Sequence, residues 1–320
     1  MKYLRLTSTD PHLNLAIEEH LFRTTDDDVF MLWQNRSAVV IGKNQNAYAE
    51  VDLGYAEAHG IALARRLTGG GAVYHDLGNL NYTVIARAGG TALDYARFTE
   101  PIVLALASLG VRAELSGRND LECEGRKISG SAQAVADGRV LHHGTLLYDT
   151  DVDVMSAVLR AGREKLSHRA VGSHAGRVMN LKERLTDCHS VTELGDRIEA
   201  FVLSRLGATR GEAPSIDEVG ELYERNGSRE WLLSERRFLT EYSVSRRRAY
   251  PFGVVQAEMT LLGDVIEGIA LSGDFFGARP VEELEAALVG RPCEAVLSLP
   301  VSRYIDGMAR EELYALLTDC

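Results

Sequence analysis

Across its 320 residues the chain lacks several features that would place it in other protein classes. No run approaches the ~18 uninterrupted apolar residues of a membrane span, and the opening MKYLRLTSTD has no signal-peptide apolar stretch. A cytoplasmic location with no membrane partner is therefore expected. Cysteine is scarce: Cys123, Cys188, Cys293 and Cys320 are scattered without a CxxC pair, so neither a disulfide framework nor a zinc knuckle is expected. Free thiols are the expectation. Basic excess is missing too, and a net charge of −11 argues against a broad nucleic-acid face, which would have to neutralise several phosphates. A local basic pocket is still allowed. There is no internal repeat and no low-complexity tract.

What remains is an ordinary globular composition, 45% hydrophobic and 25% charged, long enough for one large domain or a large and a small one. DPHLNLAIEEHLF reads as a helix with Asp10 as N-cap and Pro11 in its first turn. VFMLWQ, SAVVIG and IALARRL read as strands, and LGYAEAHG as a short helix ended by Gly60. AVYHD and LNYTVIA flank the turn signal Leu77-Gly78-Asn79, which predicts a hairpin, and Phe98 to Leu109 predicts a helix. Glu124-Gly125 and Asp137-Gly138 each stand between candidate strands, so two tandem hairpins are expected. The fold class that follows is α+β, with a mostly antiparallel sheet and flanking helices. Residues 151–248 read as mainly helical, with VTELGDRIEAFVLSRLG the clearest helix. SRRRAYPFG reads as a polar, basic join, followed by two strands around Gly263-Asp264 and helices at PVEELEAALVG and REELYALL. The expected division is a catalytic domain over residues 1–246 and a small α+β accessory domain over residues 247–320.

The chemistry concentrates in two blocks. RRLTGGGAVYHD sets Arg65 and Arg66 beside three consecutive glycines, Gly69, Gly70 and Gly71. It is not a P-loop, because the single Gly-Lys pair, Gly42-Lys43, runs into Asn44 and has Ser37 where the first glycine belongs. A dinucleotide fingerprint fails at Tyr74, and no GxSxG elbow occurs. Bare backbone beside two cations suits an anion, although such a strand turn is more often only a turn. The second block, GRKISGSAQ, places Lys127 among Ser129, Gly130 and Ser131. A lysine there is ordinarily a solvated charge. His142 and His143 precede GTLL as candidate acid–base groups, with a satisfied core or edge histidine the commoner reading of each. His12 and His20, eight apart on the first helix, hint only weakly at a metal pair.

RRLTGGGAVYHDLGNLNYTV, GRNDLECEGRKISGSAQ and HHGTLLYD, in this order, resemble the signature of the lipoate-protein ligase A family. GRVMNL (Gly176 to Leu181) is similar to its later arginine-asparagine motif, and SGDFFG near Gly273 to its C-terminal accessory domain, so the resemblance covers nearly the whole chain. It implies a catalytic domain like those of biotin-protein ligases and class II aminoacyl-tRNA synthetases. It also implies a reaction in which lipoate is activated by ATP and Mg²⁺ to lipoyl-AMP. The lipoyl group then passes to a lysine of a lipoyl domain, as on 2-oxoacid dehydrogenase E2 subunits, or of glycine-cleavage H protein.

Matched residue by residue, the resemblance puts ATP binding on Arg66, Gly71, Ala72, Val73, Tyr74 and Lys127, and lipoate binding on Lys127, Gly70, Gly71, His75, His143 and Gly144. Lys127 is its catalytic residue, and no metal ligand is singled out. Thr68 stands where serine is commoner, Tyr74 where phenylalanine often occurs, and Gly176 where a serine is usual. Two rivals come with the same blocks. One is an octanoyltransferase using Cys123 as nucleophile, although the cysteine-aromatic-proline context of that branch is missing. The other is a catalytically silent protein that binds lipoate or its carriers.

Overall fold

The structure, a computed structural model, describes residues 1–89, 93–160 and 177–319. Gly176 and Cys320 lie outside the described residues. By compactness the chain divides into two units: Met1–Val40, Val51–Ala64 and Val73–Gly227 form the first, and Ile41–Glu50, Arg65–Ala72 and Ser228–Cys320 the second.

The strands up to residue 210 are β1 (Lys2–Arg5), β2 (Val29–Trp33), β3 (Ala38–Ile41), β4 (Ala62–Arg65), β5 (Val73–His75), β6 (Asn79–Arg87), β7 (Glu114–Ser116), β8 (Asp120–Cys123), β9 (Arg126–Ala136), β10 (Arg139–Leu147) and β11 (Thr209–Arg210), all in the first unit but for the last residues of β3 and β4, Ile41 and Arg65. Eight of them form one sheet in the order β11-β1-β2-β6-β10-β9-β8-β7. From β2 to β7 every pairing is antiparallel, while β1 runs parallel to both β2 and β11. Both expected hairpins form. Glu124 and Gly125 take φ 53° and 73°, and Asp137 and Gly138 take 49° and 74°, the positive pair that a type I′ turn demands.

Alternation along β6 separates two faces. Leu80, Tyr82, Val84 and Ala86 join a core with Phe98, Ile102 and Leu106 of the helix Tyr95–Ser108 and with Leu194, Ile198 and Val202 of the helix Val191–Arg205. Asn79, Asn81 and Thr83 take the opposite face, where helix α1 (Pro11–Thr24) hydrogen-bonds to Thr83 through Glu18. Asp10 caps α1, accepting from the His12 and Leu13 N–H groups at 2.9 and 3.3 Å.

Three expectations change. The strands around Leu77-Gly78-Asn79 do not pair with each other, since β5 belongs to a separate three-stranded sheet, β4-β3-β5. The Gly78 carbonyl instead accepts from Tyr148 and Asp149 N–H at 3.1 and 2.9 Å, and a Cβ at Gly78 would lie 2.0 Å from the Asp149 carbonyl oxygen. That turn is docked on the end of β10 rather than closing a ladder. The helix expected from Phe98 starts at Tyr95, where the Asp94 side chain accepts from Arg97 N–H at 3.1 Å.

SRRRAYPFG is not a loose join. Its core is strand β12 (Val244–Tyr250), which pairs with β13 (Gly253–Leu262), itself paired with β14 (Val265–Gly273). Of the arginines that suggested a linker, Arg247 and Arg248 lie on the exposed edge of that sheet in the second unit, where Arg248 meets Asp319, while Arg246 is half-buried and donates to the Leu316 and Leu317 carbonyls. Residues of β13 and β14 bury Val255, Met259 and Leu271 against Leu284 of the helix Val281–Leu288 and Leu316 of the helix Arg310–Thr318.

Candidate functional site

Lys127 follows the first tight hairpin. Between Leu121 and Glu122 the β8–β9 register slips, so Lys127 pairs with Glu122 but Ser129 with Leu121, which inserts Ile128 as an extra residue and sends its side chain into the core. Lys127 and Gly130, three apart, would face opposite ways on a regular strand. The bulge puts them on the same face. A Cβ built on Gly130 would lie 2.9 Å from Lys127 Nζ, so the lysine head rests where a side chain would otherwise stand. Asp120, the cross-strand partner of Gly130, receives that head at 2.8 Å. The Lys127 carbonyl accepts from Met179 N–H at 2.8 Å. Asn180 fastens the same segment by accepting from Thr150 N–H and donating to the Thr150 carbonyl, both at 3.0 Å. The late arginine-asparagine motif therefore fixes the lysine's backbone.

From Lys127 a row of side chains crosses the sheet, one per strand. Gly130 N–H reaches Thr145 Oγ1 at 3.3 Å, Thr145 pairs with Asn81, and Asn81 pairs with Trp33. One register step along, Trp33 Nε1 donates to Thr83 Oγ1 (2.9 Å), Thr83 donates to Glu18 (2.6 Å), and His143 Nδ1 donates to the same carboxylate (2.9 Å). A carboxylate 2% exposed is tolerable only with such partners. His75 sits edge-on to Trp33 at 6.1 Å and bonds to Asn35 at 3.1 Å. Lys127, His75 and His143 thus belong to one unit, with Lys127 and His143 on one sheet face.

Two other sequence candidates in this unit face elsewhere. His142 lies on the core side, its Nδ1 accepting from Gln133 at 2.8 Å, and burial, aided by the His143 charge, pushes it down to about 3. It is a neutral core histidine. A Cβ at Gly144 would lie 2.5 Å from the Tyr82 ring, so that glycine makes room for a buried tyrosine on the core side. Tyr74 buries its ring and reaches Ser37 at 3.4 Å, so what Val73 and Tyr74 of β5 offer is mainly backbone. His12 Nε2 is 2.8 Å from the Leu63 carbonyl. Among the described residues there is no group of three or more His, Cys, Asp or Glu that could hold a metal. Cys123, Cys188 and Cys293 are free and buried, and burial pushes the Cys123 thiol up, with Glu124 adding to the effect.

The glycine loop belongs to the second unit. Arg65 is 3% exposed and gives its whole guanidinium to main-chain carbonyls: Nε to Trp231 (2.7 Å), Nη1 to Gly42, Lys43 and Gln45 (3.1, 3.0 and 2.7 Å), and Nη2 to Leu232 (2.8 Å). Burial, with Arg237 nearby, pushes it down to about 9, still charged at neutral pH. It is a structural rivet. Arg66 braces the loop itself, donating to Thr68 Oγ1 (2.9 Å) and to the carbonyls of Gly69 and Gly71 (2.7 and 2.8 Å). Gly70 N–H donates to the Phe275 carbonyl at 3.3 Å. Gly71 is the open one, where an added Cβ would meet only Asp274 Cβ at 3.9 Å. Sequence reading missed Asp120, Glu18 and Trp33. The GRND wording beside Lys127 carried the signal for Asp120, and nothing local marked the other two.

Comparison with known proteins puts two domain families on this framework. Residues 10–202 match the lipoyl protein ligase A/B catalytic domain, and residues 240–317 match the bacterial lipoate protein ligase C-terminus. A lipoate–protein ligase 1 of Staphylococcus aureus is 36% identical over 325 residues, covering 97% of each chain. Among solved structures, a bi-partite lipoate protein ligase of Thermoplasma acidophilum, described with its E2 lipoyl domain, is 30% identical with a TM-score of 0.64, covering 76% of this chain and 98% of its own. A lipoate-protein ligase A bound with ATP is also 30% identical, with a TM-score of 0.61 and coverage of 72% and 98%.

Proposed function

This chain belongs to the lipoyl protein ligase A/B family, and we propose that it joins lipoate to protein lysines in two half-reactions at the face carrying Lys127. In the first, a carboxylate oxygen of lipoate attacks the α-phosphorus of ATP, forming lipoyl-AMP and expelling pyrophosphate. In the second, the amine of an acceptor lysine attacks the activated carbonyl, loses a proton and expels AMP. The observation that carries this reading is Lys127 Nζ held 2.8 Å from Asp120 over the gap left by Gly130. Two anions must meet in the first step. A fixed cation between them stabilises the charge that develops, and a carboxylate already ionised at neutral pH needs no base.

Lys127 is accordingly assigned to both the α-phosphate and the lipoate carboxylate. Arg66, Gly71, Ala72, Val73 and Tyr74 are assigned to ATP, and Gly70, Gly71, His75, His143 and Gly144 to lipoate. Gly144 contributes indirectly, by seating Tyr82. Mg²⁺ enters as part of the Mg–ATP substrate. Residues 1–246 serve as the catalytic domain and 247–320 as the accessory domain. The acceptors are lipoyl domains of E2 subunits or glycine-cleavage H protein. A lipoyl domain accompanies the archaeal relative, which supports this assignment. The place of action is the cytoplasm; no described helix is long and apolar enough to cross a membrane.

The octanoyltransferase alternative needs an accessible thiolate. Cys123 is 4% exposed among core side chains and its thiol is pushed up rather than down, which disfavours it. The test is lipoate-dependent ATP–pyrophosphate exchange. Exchange is expected in the wild type, to fall at least about 100-fold in Lys127→Ala, and to survive in Cys123→Ala. No exchange in the wild type, with acyl transfer that requires Cys123, would overturn the ligase reading, and lipoate binding without exchange would favour a silent binder.

A further inference from the structure

We propose that Phe276 is a positioning residue that holds the glycine loop in its working conformation, the backbone carbonyl of Phe275 acting with it. This rests on the assignment of that loop to substrate. Three contacts within the second unit converge. A Cβ on Gly69 would lie 2.4 Å from the Phe275 carbonyl oxygen, so the loop backbone is pressed directly onto that of Phe275. Gly70 N–H donates to the same carbonyl at 3.3 Å. The Phe276 ring lies against Gly70, its Cζ and Cε1 2.8 and 3.0 Å from where a Cβ would stand, and Gly70 itself has φ +89°.

Other groups hold the loop together with the ring. Arg66 ties the Gly69 and Gly71 carbonyls together, and Gly42 lets the Gly70 carbonyl approach to 2.1 Å of its own Cβ position. Phe276 is in turn anchored through its chain neighbours: Gly273 N–H donates to the Asn44 carbonyl at 3.0 Å, and the Phe276 carbonyl accepts from Asp306 N–H at 2.8 Å. Glycine-rich backbone has many conformations to lose, and a flat ring and a guanidinium nitrogen, both packed where a Gly70 Cβ would stand, leave it few. The ring lowers the cost of ordering the loop before substrate arrives, which is the logic of preorganisation.

Phe276→Leu tests this, because leucine keeps apolar bulk near the backbone but lacks the Cε1 and Cζ atoms that reach Gly70. In hydrogen exchange, amides of residues 66–74 are expected to exchange at least about tenfold faster in the variant, with the β12–β14 amides unchanged. In ATP–pyrophosphate exchange, KM for ATP or lipoate is expected to rise about tenfold while kcat changes less than about threefold, the split expected of lost preorganisation. Gly70→Ala, which drives a methyl into the ring, should be partly relieved in the double variant Gly70→Ala/Phe276→Leu. Wild-type protection of residues 66–74 in Phe276→Leu, or faster exchange with unaltered KM, would overturn the proposal. If the wild type lacks lipoate-dependent exchange, the ligase reading fails instead, and the hydrogen-exchange result still decides whether the ring orders the loop.

Discussion

Gly130→Ala separates the position of the lysine from the stability of the fold. Gly130 is not among the residues with positive φ, so alanine adopts its backbone without strain. Removing a glycine from a strand reduces the freedom of the unfolded chain, worth about 0.4–1 kcal/mol in favour of the variant. The new methyl, however, stands 2.9 Å from Lys127 Nζ, 3.1 Å from its Cε and 3.5 Å from Asp120 Oδ1. The lysine is flexible, so its head retreats by roughly half an ångström to reach ordinary contact, at little cost in folding energy. Catalysis is less forgiving. A misplacement of about 1 Å costs about 100-fold, so half of that predicts a loss of about tenfold, equivalent to about 1.4 kcal/mol of transition-state stabilisation. Lipoate-dependent ATP–pyrophosphate exchange measures the loss and a thermal melt measures the fold. Exchange within twofold of wild type at an unchanged Tm would refute the claim that the gap at Gly130 sets the lysine's position.

Other expectations follow from the core side of the same sheet. Gly144→Ala places a methyl 2.5 Å from the buried Tyr82 ring, which has no flexible end to yield, so a loss of about 1–3 kcal/mol or more is expected from overpacking. A melt within 1 °C or so of wild type would count against it. For pH, the folded value of His142 is about 3 against an ordinary 6.5, so below pH 6.5 the unfolded chain takes up a proton that the native one refuses. Stability falls as pH drops from 6.5 towards 3, by about 1.4 kcal/mol per unit and hence about 2 kcal/mol by pH 5. Urea titrations at pH 7 and pH 5 measure this, and His142→Gln should flatten the difference; an equal drop in the variant would show that other groups carry it.

How much of the fold was legible depended on how local its cause was. The tight turns at Glu124-Gly125 and Asp137-Gly138 announce themselves because two positive φ values in succession suit few residue pairs, and the strands on either side then have to pair. The cap at Asp10 is equally local. Strands β1 and β11 escaped because each is short and joins the sheet in parallel, a pairing fixed by distant segments rather than by a neighbouring turn. Leu77-Gly78-Asn79 misled for a related reason. Its glycine answers to the Asp149 backbone, about 70 residues away in the chain, and not to the geometry of a hairpin.

The site shows the same division. Composition can say that cations and bare backbone lie together, but it cannot say which oxygens the cations will serve. Arg65 and Arg66 looked equivalent beside the glycines, yet Arg65 spends its donors on five main-chain carbonyls while Arg66 spans the loop between Gly69 and Gly71. A fixed guanidinium fork suits both tasks, so residue type alone does not separate them. Lys127 was readable from GRKISGSAQ, but its placement depends on a bulge whose extra residue, Ile128, looks like any other strand isoleucine. The bulge moves Lys127 onto the face of Gly130 and Asp120, and the small residue that had looked like exposed backbone becomes the space the lysine occupies. Glycine therefore has a different task in each block. In the loop it permits backbone to press on backbone, and beside Lys127 it leaves a gap for the charged head, so substitution at Gly69 should disturb the chain while substitution at Gly130 should disturb the chemistry.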